Sequence, residues 1–411
     1  MAGTGPGPVN RNLLAIAGAC FIGFAGFTLV MPFLPLYFVQ LGMRDPADIA
    51  LWSGLSLGVT PGMTALLAPL WGRVADRYGN KFLVLRSLAC FIITMVMMGL
   101  VTRPWHIFAL RVLQGFFAGY GALAVAMAAQ AAPRDRMASA IGTVQTAQRL
   151  GPALGPAIGG VLAVAIGIRA TFFVSSLFYL LAFVLVWRWF VEPARLPALE
   201  TPDGEPPRLS FASGAAFQQF VLLMGVIFGL QLVDRSFGPV LPLYLEQLGV
   251  ARSHLALAAG VLFSSVAAAG ALGNLVTQRL LQRWPPRALL RWTALAAAAG
   301  LLPFVVGAPV VWLVVATIVF GFAIGVAMTA SFTAAGHVIP EQSRSTGFGL
   351  LTSASLVGLS VSPMASGVLA RISIRSVFIV GMITLAVLSA MVSYVLRERV
   401  DRAEQPSVEE T

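Results

Sequence analysis

Apolar runs of about 20 residues recur along the whole chain between short polar breaks, each long enough to cross a bilayer core of about 30 Å. The pattern predicts helical spans at 12–38, 50–71, 82–102, 104–131, 137–166 and 170–191. After a polar stretch it predicts six more, at 216–245, 255–278, 288–307, 309–336, 342–370 and 375–396. Helices are expected because a segment in lipid must satisfy its own backbone N–H and C=O groups. The polar stretch 192–215, rich in Pro, Glu, Asp and Gly, cannot form a core and reads as a linker. The predicted fold class is an all-α membrane protein: residues 1–191 form an N-terminal six-helix bundle and 216–411 a C-terminal one with a short tail.

The pattern also repeats at an offset of about 207 residues. Pro32-Phe33-Leu34-Pro35-Leu36-Tyr37 answers Pro239-Val240-Leu241-Pro242-Leu243-Tyr244, and the same shift maps Gly142 to Gly349, Gly151 to Gly358 and Pro156 to Pro363. Two pseudo-symmetric halves of this kind place a transported molecule near the membrane midplane between them.

Composition agrees, with 58% hydrophobic and 10% charged residues, against roughly 25% charged in soluble domains. The net charge of +11 suggests nucleic acid until the charges are placed. With both termini inside, 18 of 27 basic residues fall in or beside cytoplasmic segments, six at outer ones, and three, Arg111, Arg149 and Arg235, lie deep within spans. That bias is the positive-inside signal, so the expectation is a multi-pass protein of the bacterial inner membrane with cytoplasmic termini and no nucleic-acid partner. Cys20 and Cys90 lie in apolar spans, without disulfide or metal spacing. The first apolar stretch is too long for a signal-peptide core and reads as a retained helix.

Three motifs carry chemistry. The fifth span contains Gly151-Pro152-Ala153-Leu154-Gly155-Pro156-Ala157-Ile158-Gly159-Gly160, whose glycines at i, i+4 and i+8 allow close helix approach in lipid. Helix 8, with Gly260 and Ser264, is the expected partner of this glycine face. On helix 11, Gly358, Ser362, Pro363, Ser366 and Gly367 are expected to face Ser53, Ser56, Gly58 and Gly62 of helix 2. The fourth span reads Arg111-Val112-Leu113-Gln114-Gly115, an intramembrane arginine that should face a bundle interior or wet cavity. After the second span, Gly72-Arg73-Val74-Ala75-Asp76-Arg77-Tyr78-Gly79-Asn80-Lys81 reads as a short loop. In its second copy, Asn274 to Arg287, Arg279 is kept but Gln278 stands where Asp76 falls.

Together these strings resemble the antiporter motif, the R-x-x-Q-G signature and the loop signature of the major facilitator superfamily, with Asn80 where arginine is usual. The order is also similar, and the start of the repeat looks most like MdtG-type multidrug exporters and the wider tetracycline-exporter group. The resemblance implies a major facilitator fold of twelve transmembrane helices. It also implies a cytoplasmic gate at Gly72, Arg73, Asp76, Arg77 and Gly79, with Asp76 against the start of helix 11 near Glu341 to Ser345. A helix N-terminus favours an anion by roughly 0.3–1 kcal/mol. Arg111 is implied in proton transfer; because arginine does not deprotonate at ordinary pH, its role is read as electrostatic.

Among sixteen acidic residues only Asp234 falls in a predicted span, and Glu246 stands just past the outer end of the same one. Asp234 is therefore the candidate proton carrier with Arg111 and Arg235, the alternative being a structural Asp234–Arg235 ion pair. Gln231, Asp234 and Arg235 share one face of helix 7, Gln145, Gln148 and Arg149 repeat that arrangement on helix 5, and the repeat sets Phe24, Phe27 and Thr28 opposite. With Gln114, these residues form the candidate substrate cavity.

The expected function is proton-coupled efflux of lipophilic or amphipathic small molecules by a monomer in the lipid bilayer, through alternating access. No nucleotide-binding loop of the GxxxxGK[ST] type appears, so the drive is read as the proton gradient, without cofactor or metal. A nutrient-uptake symporter shares the fold and stays open as an alternative. A receptor or membrane enzyme needs a sensing domain or catalytic constellation that the sequence does not display.

Overall fold

The computed structural model describes residues 8–132, 137–192, 213–339 and 344–395. The first half holds α1 (Pro8–Thr28), α2 (Leu34–Gln40), α3 (Pro46–Tyr78), α4 (Asn80–Leu100), α5 (Pro104–Phe116), α6 (Tyr120–Ala131), α7 (Met137–Ala165) and α8 (Ile168–Trp189). The second holds α9 (Gly214–Asp234), α10 (Leu241–Gln247), α11 (Leu255–Leu281), α12 (Pro286–Val306), α13 (Val310–Val338), α14 (Arg344–Leu369) and α15 (Ile374–Val395). Eleven of the twelve expected spans coincide with helices long and apolar enough to cross a bilayer. The remaining one is α7, a 29-residue helix whose Gln145, Gln148, Arg149 and glycines lower its hydropathy. It packs against α1 along one face and against α11 along another.

Several expected spans are not continuous. The first ends at Thr28 and resumes as α2, and the seventh ends at Asp234 and resumes as α10, at matching places in the repeat. Pro32 and Pro239 account for both breaks: a proline has no N–H to give the carbonyl four residues back and its ring collides with that carbonyl. The fourth span breaks at 117–119, where Gly119 adopts φ +121°. The stretch read as a loop after the second span is helical instead. α3 runs on to Tyr78, and Gly79 alone, at φ +95°, turns the chain into α4. One glycine in the left-handed region replaces the longer connection expected there.

The halves meet along two seams, α3 with α14 and α7 with α11. Both seams are backbone contacts. A Cβ added at Gly160 would lie 2.7 Å from the Ala256 carbonyl, and one at Gly367 would lie 2.7 Å from that of Ala50. Gly54 and Gly58 abut the carbonyls of Pro363 and Ser360, and Gly260 abuts that of Pro156. Hydrogen bonds cross each seam: Ala157 N–H donates to Ser264 Oγ and Ser360 Oγ–H to the Gly58 carbonyl, both at 2.9 Å.

The partner expected for the glycine face of helix 5 needs correction. Gly151, Gly155 and Gly159 press on α1, at Phe21 and Ala25, at Thr28 and at Leu29. The stripe facing α11 is the neighbouring one, Pro156 and Gly160. Successive residues of a helix lie 100° apart, so one motif serves two contacts. Likewise Gly358 and Ser362 face α9, at the Phe228 and Leu232 carbonyls, while Ser360, Pro363 and Gly367 meet α3.

These seams seal only the side of the molecule away from the chain termini. Gly72 continues the seam stripe of α3, Gly142 that of α7 and Gly349 that of α14, and a Cβ added at any of them would meet nothing within 4 Å. The halves therefore splay apart toward the terminal side, and a cleft opens between them.

The two stripes of α7 predict different failures. Gly155→Leu should overpack the α1–α7 contact and destabilise the first half by about 1–3 kcal/mol, read as a lowered melting temperature in detergent. Gly160→Leu should instead loosen the inter-half seam, raising the accessibility of a cysteine placed at Ala256 with a smaller change in melting.

Candidate functional site

Arg111, in α5, has no exposed surface. Its Nε donates to the Ser56 carbonyl at 2.9 Å and its Nη1 to Gln114 Oε1 at 2.6 Å, and its guanidinium lies 5.2 Å from the centre of the Phe27 ring. No carboxylate contacts it among the described residues. The charge is held by a carbonyl, an amide and an aromatic face, all of which complement a cation. Gln114, expected to line the cavity, is likewise fully buried, and its Nε2 reaches Thr94 Oγ1 at 3.4 Å. Its place is taken by its service to Arg111. The glycine of the same signature has a packing reason: a Cβ at Gly115 would lie 2.8 Å from Met63 and 2.9 Å from Thr60 of α3.

Just beyond Gly115 the break between α5 and α6 frees carbonyls that donors from neighbouring helices take up. Trp71 Nε1 donates to the Phe116 carbonyl at 2.7 Å, and Ser87 Oγ and Arg86 Nη2 donate to that of Phe117 at 2.6 and 3.2 Å. Arg86 is stacked on Trp71, 3.6 Å from the ring centre. Broken helices persist at membrane depth only with such substitutes. The break also sets Tyr120 against Phe24, with ring centroids 5.8 Å apart, and presents the Gly121 carbonyl to Gln148 Nε2 at 2.9 Å.

Arg149 lies on the stripe of α7 that carries Pro156 and Gly160, two turns toward the terminal side, where the seam has opened. It is exposed and has no hydrogen bond or ion pair among the described residues. Gln145, one turn further, is exposed too. Thr28 does not point freely into the cleft: its hydroxyl donates to the Phe24 carbonyl at 3.0 Å and lies against Gly155.

Across the cleft, Gln231 Nε2 donates to Ser355 Oγ of α14 at 2.9 Å. Asp234 is the last residue of α9, and its Oδ2 pairs with Arg235 Nε at 3.0 Å. The Asp234 side chain is 16% exposed and that of Arg235 52%. The carboxylate is thus the covered member and the arginine the solvated one. Arg111 is not part of this pair.

At the terminal end of the first half, the Asn80 N–H at the start of α4 donates to Glu192 Oε1 at 2.8 Å. Lys81 Nζ donates to the Phe190 and Trp187 carbonyls at 2.6 and 3.1 Å, and Asn12 exchanges two bonds with the backbone of Val191 at 2.9 and 3.0 Å. The Asp76 contact expected near Glu341 to Ser345 lies outside the described residues. On the sealed side, Asp48 and Arg371 join the halves by a 3.0 Å ion pair.

Arg86, Glu192 and the Asp48–Arg371 pair escaped the sequence reading. Arg86 stands five positions inside a predicted span, close enough to its end to pass for an interfacial charge. Glu192 opens a stretch read as linker, and its partner is remote in sequence. No local signal marks either the Glu192 or the Asp48 contact.

The profile of the Major Facilitator Superfamily matches residues 16–340 and 223–411. The chain is similar to the multidrug resistance protein MdtG of Proteus mirabilis, 34% identical over 62% of this chain and 63% of that one. It is similar to the MdtG of Salmonella paratyphi A at 33% identity over 72% of this chain and 73% of that one. Among solved structures it resembles a bacterial homolog of the human lysosomal transporter Spinster in an inward-facing, occupied conformation, with TM-score 0.77, 18% identity and coverage of 97% and 99% of the two chains. It also resembles the nucleoside transporter NupG, with TM-score 0.72, 16% identity and coverage of 94% and 100%.

Arg111→Ala should leave Gln114 and the Ser56 carbonyl buried without a donor, at about 1–3 kcal/mol for each acceptor. Arg111→Lys should not rescue, because a point charge cannot make the divergent bonds of the guanidinium. Melting temperature and transport by the two variants in proteoliposomes test this.

Proposed function

The chain belongs to the major facilitator superfamily, and from that premise we propose that it exports lipophilic or amphipathic small molecules in exchange for protons. It is an integral membrane protein of a transporter family, not an enzyme. The observation that carries the export reading is the double service of the α7 motif. Its two adjacent stripes lock α7 to α1 and to α11, so the helix bearing Gln145, Gln148 and Arg149 is fixed in both halves at once where the cleft closes. The name multidrug resistance protein, borne by relatives matched over 63–73% of their length, points the same way.

In this reading the basic bias places both termini in the cytoplasm and the protein in the inner membrane. The open cleft then faces the cytoplasm, and residues 1–191 and 216–411 rock about the two seams with 192–215 as the tether. Phe24 and Phe27 offer apolar and π surface, while Gln145, Gln148, Gln231 and Arg149 offer polar contact. That combination suits amphipathic compounds. The gate is the end of α3, with Gly72, Arg73, Asp76, Arg77 and Gly79. Position 76 falls on the seam stripe of that helix, so closure carries it toward the start of α14. The protein acts as a monomer, driven by the proton gradient without a cofactor.

Asp234 is the proposed proton site. A proton arriving there has to break the 3.0 Å pair with Arg235, which releases the arginine toward the cleft. Arg111, bonded elsewhere, serves by holding α3, α5 and Phe27 in place.

Energised inverted vesicles should accumulate a lipophilic cationic dye, and a protonophore should abolish the accumulation; proton-driven flux in the opposite direction would establish the uptake symporter instead. Asp234→Asn should abolish uphill export while leaving downhill exchange measurable. If Asp234→Asn combined with Arg235→Gln exports uphill, Asp234 is not the proton site. Asp76→Asn should reduce transport several-fold with membrane insertion intact, as measured by flux normalised to folded protein.

A further inference from the structure

We propose that the turn between α11 and α12 is a binding site for an anionic phospholipid, which is held by its acyl chain in an apolar crevice and by its phosphate at the arginines on the rim. The crevice, of about 290 Å³, is lined by Leu280, Trp284, Leu289 and Trp292. Both tryptophans are more than half exposed, at 52% and 56%. They lie at the terminal ends of two membrane helices, the level at which tryptophan meets lipid headgroups.

Charge selects the occupant. Arg279, Arg283, Arg287 and Arg291 fall within thirteen residues, and from Gln247 to Pro340 the sequence holds no Asp or Glu. Arg291 lies 5.3 Å from the centre of the Trp292 ring, which places one guanidinium at the rim by direct contact. Arg279, in the last turn of α11, and Arg283, in the turn that follows it, are exposed and have no ion pair among the described residues. Arg287 is turned away, donating to the Ser393 carbonyl of α15. An apolar floor under three arginines that have no ion pair among the described residues matches a lipid with one phosphate charge and no compensating amine, such as phosphatidylglycerol. Basic pockets between membrane helices recognise anionic headgroups in this way. The same turn is the second copy of the loop signature, where Gln278 replaces the acidic residue. A carboxylate there would repel the phosphate.

The test uses the full chain in nanodiscs of phosphatidylcholine doped with brominated phosphatidylglycerol or brominated phosphatidylethanolamine. The readout is the quenched tryptophan emission that disappears in Trp284→Phe/Trp292→Phe. That component should titrate at markedly lower mole fraction with phosphatidylglycerol than with phosphatidylethanolamine. Arg279→Gln/Arg283→Gln should raise the phosphatidylglycerol midpoint about tenfold or more, while Arg44→Gln/Arg103→Gln, an equal change of charge on the other side, should leave it unchanged. Equal titration by both headgroups in the unsubstituted protein, or equal shifts in the two arginine pairs, would overturn the site. The headgroup comparison needs no arginine variant, so a folding defect in one does not obscure it.

Discussion

Close approach of helix backbones is the constraint on which this molecule depends. In lipid, neighbouring helices gain nothing by hiding apolar surface, since the acyl chains are as apolar as leucine, and association rests on van der Waals contact and hydrogen bonds between backbones. Gly54, Gly58, Gly160, Gly260 and Gly367 supply that contact at the two seams. Because the attraction is short-ranged and has no hydrophobic reserve, a seam that parts by a few ångströms is lost there entirely. The stripes through Gly72, Gly142 and Gly349 have parted in this way while the opposite ends hold. A molecule whose halves touch mainly along glycine stripes can exchange one sealed end for the other without unpacking either half.

Inside the first half the requirement is reversed, because that half has to move as a body. Here the contacts are hydrogen-bonded and buried: Arg111 on Ser56 and Gln114, Ser175 on the Gly26 carbonyl, Tyr37 on the Met98 carbonyl. Gly151, Gly155 and Gly159 weld α7 to α1, and Glu192 fixes the end of α8 to the start of α4. A carboxylate at a helix N-terminus satisfies an orphan N–H and opposes the dipole. The tether between halves therefore leaves the first half from an anchored point.

Hydropathy alone located the spans, because apolar length is a local property of the chain. It could not distinguish a continuous helix from one broken at Thr28 or Phe117, since both halves of a broken span are equally apolar. The breaks are marked by Pro32, Pro239 and Gly119, legible one by one but easily absorbed into a long run. The continuation of α3 through Gly72–Tyr78 was hidden for the opposite reason: polar residues suggest a loop, yet a helix leaving the bilayer carries them as readily. Small residues on α7 were legible as a contact surface, but their partner was not. Assigning Gly155 to α1 and Gly160 to α11 requires knowing which of two stripes 100° apart faces which neighbour. Gln114 shows the same limit for chemistry, because a polar residue in a span announces a partner without saying whether that partner is the substrate or Arg111.

The duplication sets the two helix breaks in corresponding places and gives them different chemistry. The repeat maps Phe27 onto Asp234 and Thr28 onto Arg235, and both pairs stand where the first helix of their half breaks. In the first half the break is quiet: Phe27 covers the Arg111 guanidinium and Thr28 bonds back to its own helix. In the second half the same place holds two opposite charges, one covered and one exposed. An arginine keeps its charge at any physiological pH, so neither Arg111 nor Arg149 can register a proton. Arg235 has no ion pair among the described residues except the one with Asp234. The proposed proton site therefore sits at a helix break, in a half where no arginine is buried among the described residues.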